Sequence, residues 1–417
     1  MNYKDKTVCV YSDGMDMWMA ERLTRDFGRV LLFTPWTSDY PRSQDDRIGT
    51  GIEEVERISD FWSHIDDIDL FIFLGLYHGD IQQHLVDLGK RVWGSRNGDM
   101  LERDRWGAYK KFERLEIPSP EMTKVKGIDK LREFLKENEN VYIKVSDYRG
   151  DFETFCSKNY QLSKPVLDEL EHRLGLQGIN YEFIICYPID GNDIVEFGYD
   201  GYSIDGKFPK ETIVGYEHKD VAYCCHVNSN FSPLVTDFTE KLSETLKRLK
   251  YRNFIHSEGR TGKEKIPRII DTTCRIGSPP GEVLCEMLSN LADIFWFGAD
   301  GELIEPVWEA KYGIQIFIDS SWSENKFQAV EFPEKIARWV KLRNYCIDSG
   351  THYVIPKYKD FDNIGSVVAI GNSLDECIEK VSGYSEQIKG HKVEIATAST
   401  DKLKEIIKKG EAIGISF

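Results

Sequence analysis

Residues 258–282 read EGRTGKEKIPRIIDTTCRIGSPPGE and contain the most informative pattern of this 417-residue chain. Two acids, Glu258 and Asp271, stand thirteen residues apart, and the segment between them is rich in glycine, lysine and proline, which predicts a turn followed by a strand. Two antiparallel strands joined by such a turn bring both carboxylates to the same end of a sheet face. Oxygen ligands at that place suit Mg²⁺, which binds one or two carboxylates and completes its shell with water and phosphate.

Three polar side chains follow each other at every second position of the later strand. Because strand side chains alternate between faces, Asp271, Thr273 and Arg275 are expected to point to one side. A carboxylate, a hydroxyl and a guanidinium aimed at one volume are what a metal–triphosphate and a second anion require. The alternatives are that the two acids are solvated hairpin residues, and that Arg275 forms a structural ion pair with Glu282 or Glu258.

This pattern resembles the ATP-grasp ligases, whose last metal-binding strand usually reads E-x-N-x-R. It is most similar to phosphoribosylamine–glycine ligase (glycinamide ribonucleotide synthetase), in which arginine, glycine and Pro-Glu follow as they do in RIGSPPGE, residues 275–282. Asp271 stands for the glutamate of that strand and Thr273 for the asparagine, and both replacements keep oxygen ligands. The resemblance implies that Glu258, Asp271 and Thr273 are the metal ligands.

The resemblance also implies a set of phosphate contacts on the N-terminal side of this segment. Arg105 takes the place of an ATP-contacting lysine, twelve residues before Ile117. Lys144 matches the second ATP-contacting lysine, on the strand that precedes the phosphate loop. That loop reads SDYRGDFET with Gly150 as its single glycine, so Arg149 is expected to replace backbone donors with a charged side chain.

The nucleoside contacts implied by the resemblance lie a little further along. Residues 181–185 (YEFII) resemble the strand that cradles adenine, so Glu182 and Ile184 are expected to be cofactor-binding residues. The ribose-binding acid of the family falls on Asp193, in the run DGND at 190–193. The same run predicts a hairpin between the strands on either side of it.

The fold class predicted from the whole chain is α/β, with the ATP-grasp fold implied by the resemblance. Strands separated by helices in the first hundred residues indicate a parallel sheet. The expected domains are an N-terminal α/β (pre-ATP-grasp) domain at 1–104, a small ATP-grasp lobe at 105–177, a large lobe with the metal site at 178–325, and a small C-terminal α/β domain at 326–417.

Composition limits the classes of partner. Lysine and arginine total 54 against 70 acids, a net charge of −16, which argues against broad binding to nucleic acids or anionic membranes. No run of eighteen apolar residues is present, so a membrane span is not expected, nor is a secretory signal at the start. Nine scattered cysteines favour reduced thiols in a cytoplasmic protein. We expect a monomer or a homodimer.

The resemblance implies an ADP-forming ligase that makes a C–N bond and uses ATP with Mg²⁺ or Mn²⁺. Its substrates would be a small carboxylate, such as the amino acid glycine, and an amine acceptor. Lys144 and Arg105 would neutralise phosphate charge, and Arg275 would hold the acyl phosphate formed from the carboxylate. The alternative is a nucleotide-binding sensor or partner protein without ligase chemistry, which the glycine-poor loop and Thr273 favour.

Overall fold

The computed structural model describes residues 2–36, 39, 42–145, 154–189, 195–219, 221–261, 266–356 and 362–412. The first elements of the chain are β1 (Tyr3–Tyr11), α1 (Trp18–Leu23), β2 (Phe27–Phe33), β3 (Val55–Ile58), β4 (Leu70–Phe73), α2 (Gly79–Asp87) and β5 (Arg91–Trp93). Their five strands form a parallel sheet in the order β3-β2-β1-β4-β5.

Strand β1 shows why this region folds as a parallel sheet. Val8 and Val10 pack into the main core on one face, whereas Cys9 and Tyr11 pack into a second core on the other face. Strands buried on both faces are typical of parallel sheets covered by helices. The α/β class predicted for this part of the chain is confirmed.

A four-stranded antiparallel sheet follows. The elements of this region are α3 (Met100–Arg103), α4 (Arg105–Arg114), β6 (Met122–Lys126), α5 (Ile128–Glu137), β7 (Val141–Val145), β8 (Thr154–Ser157), α6 (Tyr160–Leu174) and β9 (Glu182–Cys186). The strand order is β6-β9-β7-β8. Helices α5 and α6 cover the sheet through a core that includes Leu131, Leu135 and Leu167.

The largest sheet begins with the strands that carry the acids of the sequence pattern. The elements of this part are β10 (Val195–Ile204), β11 (Thr212–His218), β12 (Ala222–Asn228), α7 (Pro233–Arg248), β13 (Arg252–Thr261), β14 (Arg268–Thr273), α8 (Gly281–Met287), α9 (Leu291–Ala299) and β15 (Tyr312–Ser320). Amphipathic helix α7 packs on the sheet through apolar residues that include Phe238 and Leu242.

The C-terminal strands extend this same sheet. The elements are β16 (Gln328–Val330), β17 (Val340–Leu342), β18 (Tyr345–Asp348), β19 (Thr351–Val354), β20 (Asn363–Gly371), α10 (Leu374–Ser385), β21 (Val393–Ile395) and α11 (Ser399–Ala412). The sheet has nine strands in the order β14-β13-β10-β11-β12-β15-β20-β17, with β21 beside β15. The predicted domain boundary at residue 325 therefore falls between strands of one sheet. A three-stranded sheet, β16-β19-β18, lies apart from it.

The predicted hairpin around residues 190–193 is wrong. Strand β9 belongs to the four-stranded sheet and β10 to the nine-stranded sheet, so the two strands do not pair. The chain passes from one sheet to the other at this point, and a turn motif does not distinguish such a crossing from a hairpin. Residues 190–194 themselves lie outside the described part of the chain.

A buried ion cluster joins the N-terminal region to the C-terminal strands. Glu286 of α8 has no solvent exposure and accepts hydrogen bonds from Arg25 at 2.8 Å, Arg338 at 2.8 Å and Lys341 at 2.7 Å. Burial alone would raise the pKa of Glu286, but Lys341 and Arg25 hold it well below its usual range. The cluster thus connects the segment after α1 with α8 and β17.

The nine cysteines are all free, and eight of them are buried. Within the described ranges, no helix is both long enough and apolar enough to cross a bilayer.

Candidate active site

A cleft of about 720 Å³ separates the four-stranded sheet from the nine-stranded sheet. Its volume falls in the range of small-molecule sites. Most of the side chains that the sequence singled out line it, namely Arg105, Lys144, Glu258, Asp271, Thr273 and Arg275.

Strands β13 and β14 place the two acids side by side. They pair antiparallel with Glu258 opposite Asp271, and the register shifts at Gly259, immediately after Glu258. The two acids are thus neighbours on adjoining strands, as predicted, but they lie within the strands and not at their ends. Thr273 lies opposite His256 on the same strand pair and also lines the cleft.

Two cations, one on β7 and one on α4, reach across the cleft to Asp271. Lys144 Nζ donates to the Ile270 carbonyl at 2.8 Å and lies 3.5 Å from Asp271 Oδ2. Arg105, at the start of α4, donates from Nη2 to the same carboxylate oxygen at 3.2 Å and from Nη1 to the Val145 carbonyl at 3.0 Å. Both side chains are at least nine-tenths buried, so Asp271 is neutralised by two well-shielded positive charges.

A carboxylate cluster that the sequence did not reveal surrounds Glu258. Oxygens of Glu196, Glu217 and Glu258 lie within 4.8 Å of one another. Lys219 Nζ lies 3.6 Å from Glu258 and 3.7–3.8 Å from the other two. Burial raises the pKa of Glu258 to about 7, the neighbouring carboxylates add to this rise, and Lys219 opposes it. Several hard oxygen donors in so small a volume fit a divalent cation such as Mg²⁺.

Arg275 is held against the cleft wall by a buried acid. Its Nε lies 3.2 Å from Glu102 Oε1, and the other Glu102 oxygen accepts from the Cys274 amide at 2.6 Å. The ion pair is therefore with Glu102, and not with Glu282 or Glu258 as the structural alternative supposed. About one third of the Arg275 side chain remains exposed, so its guanidinium can meet an anion in the cleft.

A chain of buried hydrogen bonds fixes the backbone just after Arg275. The Gly277 amide donates to His256 Nε2 at 3.1 Å, so the imidazole proton lies on Nδ1, which faces Asp200 Oδ1 at 3.1 Å. Tyr223 donates to the other Asp200 oxygen at 2.6 Å. The loop that carries Arg275 is thereby anchored to β13, β10 and β12.

The structure does not bring Glu182 to the cleft. Its carboxylate lies near the solvent at the far end of β9, where Lys124 Nζ contacts both oxygens at 3.0 Å. Ile184 is fully buried and borders a small cavity of about 20 Å³ that Arg105 and Lys144 also line. The cleft-lining residues of this segment are the last residue of β9 and the three that follow it: Cys186, Tyr187, Pro188 and Ile189.

Two other predicted cofactor contacts, Arg149 and Asp193, lie outside the described residues.

No protein-family model matches the chain, and no curated protein matches it by sequence. Solved structures do match, over nearly its whole length. Phosphoribosylamine–glycine ligase from Thermotoga maritima is similar with a TM-score of 0.69 and 12% identity, covering 93% of this chain and 98% of that one. Biotin carboxylase from Campylobacter jejuni, in complex with a β,γ-ATP compound, has a TM-score of 0.66 and 13% identity, with 96% and 95% covered.

A third solved structure extends this comparison. N5-carboxyaminoimidazole synthetase from Staphylococcus aureus, complexed with ADP, has a TM-score of 0.59 and 10% identity, covering 91% of this chain and 96% of that one. These neighbours are ATP-grasp enzymes. The chain therefore has the ATP-grasp fold, as its sequence pattern predicted.

Proposed function

We propose that this protein is an ATP-dependent, ADP-forming carboxylate–amine ligase that acts through an acyl phosphate. The observation that supports this most directly is that Lys144, Asp271 and Glu258 line one cleft although they come from two different sheets. The solved neighbours with the same fold include ligases and nucleotide complexes.

The nucleotide would lie between the two sheets, with its phosphates toward Lys144 and Arg105. Both side chains are cationic donors on the small lobe, and their charge suits a polyphosphate. The base would lie against the segment after β9, where Tyr187, Pro188 and Ile189 line the cleft. Arg149 and Asp193 stay predicted contacts of phosphate and ribose.

A Mg²⁺ ion would be held by Glu258 and Asp271, with the Thr273 hydroxyl beside them. The carboxylate oxygens of Glu196 and Glu217 add acceptor capacity close to Glu258. When bound, such an ion neutralises phosphate charge and orients the terminal phosphoryl group for transfer. Mn²⁺, which also accepts oxygen ligands, is expected to replace it.

Arg275 would hold the substrate carboxylate and then the acyl phosphate made from it. Its guanidinium lines the same wall of the cleft as Asp271, and Glu102 fixes its orientation. Phosphoryl transfer of this kind depends on positioning and electrostatic stabilisation, so no protein nucleophile is needed. An amine then displaces phosphate from the acyl group, and we expect an amino acid such as glycine as the carboxylate donor.

The experiment is to measure ADP and inorganic phosphate released from ATP and Mg²⁺ with a panel of amino acids and amines. Hydroxylamine should trap the acyl phosphate as a hydroxamate even where the natural amine is missing from the panel. Asp271→Asn should abolish both signals, and Glu182→Gln should leave them unchanged because that acid lies outside the cleft. ATP binding without phosphate release or hydroxamate for any acid would instead favour the nucleotide-binding sensor.

A further inference from the structure

A second polar cluster lies at the end of the cleft where the chain leaves β14. Ser278 lines the cleft, and its hydroxyl donates to Glu282 Oε1 at 2.5 Å. Arg343 donates to the same hydroxyl oxygen at 2.7 Å and is almost fully buried. A serine oxygen at the cleft surface is thus joined directly to a carboxylate behind it.

One oxygen of the Glu282 carboxylate has no hydrogen-bond donor among the described residues. The residue is 1% exposed, and its Oε2 accepts no hydrogen bond from any group in the described part of the chain. Arg343 lies 3.8 Å from the other oxygen, Oε1. Buried carboxylates are normally fully hydrogen-bonded, so an acceptor oxygen left over beside a ligand cleft calls for a functional explanation.

The charges of this cluster also act on Asp16, which follows β1 in the chain. Burial raises the pKa of Asp16 to about 8, and the neighbouring carboxylates of Asp13 and Glu282 contribute to the rise. The guanidinium groups of Arg275 and Arg343 oppose it. Asp16 follows the carboxyl end of β1, an edge at which parallel sheets bind ligands.

We propose that Ser278 and Glu282 take the proton from the ammonium group of the amine substrate. This inference rests on the proposed ligase function and names a catalytic role within it. Of these two residues, Ser278 lines the cleft, so its hydroxyl contacts the amine and Glu282 receives the proton through it.

The proton balance of the step is complete without a further reactant. The acyl phosphate is a dianion and the amine enters as a cation. One proton passes from the ammonium nitrogen through Ser278 to Glu282, and the freed lone pair forms the C–N bond. The bond between carbon and the phosphate oxygen breaks, and phosphate leaves as hydrogen phosphate with the second nitrogen proton. The products are an amide, hydrogen phosphate and one proton held by the protein until it reaches solvent.

The substrate class follows from this arrangement. A primary amine that is protonated in water needs such an acceptor, because the ammonium form has no lone pair for attack. Hydroxylamine is a much weaker base and is already neutral at pH 7, so it does not need one. The two nucleophiles therefore separate proton removal from carboxylate activation.

The test compares Glu282→Gln with the wild type at pH 7, using methylamine and hydroxylamine in turn with the acid that supports hydroxamate formation. We expect methylamine-dependent phosphate release to fall at least about tenfold in Glu282→Gln, and hydroxamate formation to stay within about twofold. Ser278→Ala, which removes the connecting hydroxyl, should show the same split and carries the test if Glu282→Gln does not fold.

Results that contradict the proton-acceptor role differ from results that contradict the ligase function. Equal losses with both nucleophiles, or equal methylamine rates in variant and wild type, including none in both, would overturn the proton-acceptor role. Failure of the wild type to form hydroxamate with any acid would overturn the ligase function itself, and this inference with it. A thermal unfolding curve for each variant establishes that a lost signal does not reflect unfolding.

Discussion

Lys144 Nζ lies 3.5 Å from Asp271 Oδ2 across the cleft, although 127 positions separate the two residues in the chain. The contact joins the four-stranded sheet to the nine-stranded sheet at the point where the phosphates would lie. Asp271 also accepts from Arg105, so one carboxylate stabilises two buried cations. Substitutions of Lys144, Arg105 and Asp271 therefore test the site directly.

Asp271→Asn should lower Mg²⁺-dependent ADP formation by about 100-fold or more, because it removes one charged group from a preorganised electrostatic site. It should also lower the melting temperature, since Lys144 and Arg105 would lose the charge that compensates them. Steady-state ADP release and a thermal melt measure the two effects. Unchanged turnover would exclude Asp271 from the metal site.

Lys144→Met should weaken ATP binding by about tenfold to a hundredfold, since a charge-assisted hydrogen bond contributes about 1.5–3 kcal/mol. Calorimetric titration with ATP and Mg²⁺ measures the change. Lys124→Met is the matched control, because Lys124 pairs with Glu182 at the exposed end of the same sheet. A similar loss of ATP affinity in both variants would indicate an effect of the overall protein charge and not a contact between Lys144 and a phosphate.

Asp16→Asn should stabilise the protein increasingly as the pH rises from 5 to 8. The pKa of Asp16 is raised to about 8 in the folded protein, so the folded state binds its proton more tightly than the unfolded state does. Its contribution to stability is therefore fully present below the unfolded pKa and is lost as the pH rises toward 8. Melting temperatures of both proteins across this range test the sign, and a constant difference would contradict it.

Glu286→Gln should cost about 3–5 kcal/mol of unfolding free energy, because it leaves buried Lys341 and its neighbouring arginines without their counter-charge. Urea unfolding measures the loss. Glu309→Gln provides the comparison, since Glu309 pairs with the same Arg338 at the surface and should cost less than about 1 kcal/mol. Comparable losses of unfolding free energy in the two variants would contradict the expectation that the buried ion pairs stabilise the protein more than the exposed one.

The sequence predicted the parts of the site that depend on local patterns. The facing of Glu258 and Asp271 follows from a turn between two strands, and the alternation along β14 brings Thr273 to the same cleft. Lys144 was implied by the resemblance, which matches it to an ATP-contacting lysine on a strand, and the structure places it at the cleft. Each of these relations involves residues close together in the chain or matched to an ordered set of motifs.

The positions of Glu196 and Glu217 beside Glu258 could not be predicted from a local sequence pattern. Glu196 and Glu217 reach Glu258 because β10 pairs with both β13 and β11, strands that follow it at very different distances along the chain. Sequence alone does not give the partner or the register of such strands. The resulting carboxylate cluster could be found only from coordinates.

At residues 181–189 the expected cofactor contacts and the observed cleft-lining residues differ. Residues 183–186 are a continuous apolar run, which gives no alternation from which to tell where the strand ends. The resemblance implied Glu182 and Ile184 as cofactor contacts, whereas the cleft-lining residues of this segment begin at Cys186, where β9 ends.

The nine-stranded sheet has a mechanical consequence for the cleft. The strands that bear Glu258 and Asp271 belong to the same hydrogen-bonded sheet as β20, so this wall of the cleft is a single rigid unit. The opposite wall is the separate four-stranded sheet. Lys144 and Arg105 connect the two sides through their contacts with residues 270 and 271, and the Ile269 amide donates to the Pro118 carbonyl at 2.8 Å. Any change in the width of the cleft must therefore move the four-stranded sheet as a whole, while the nine-stranded sheet that bears the acids keeps its shape.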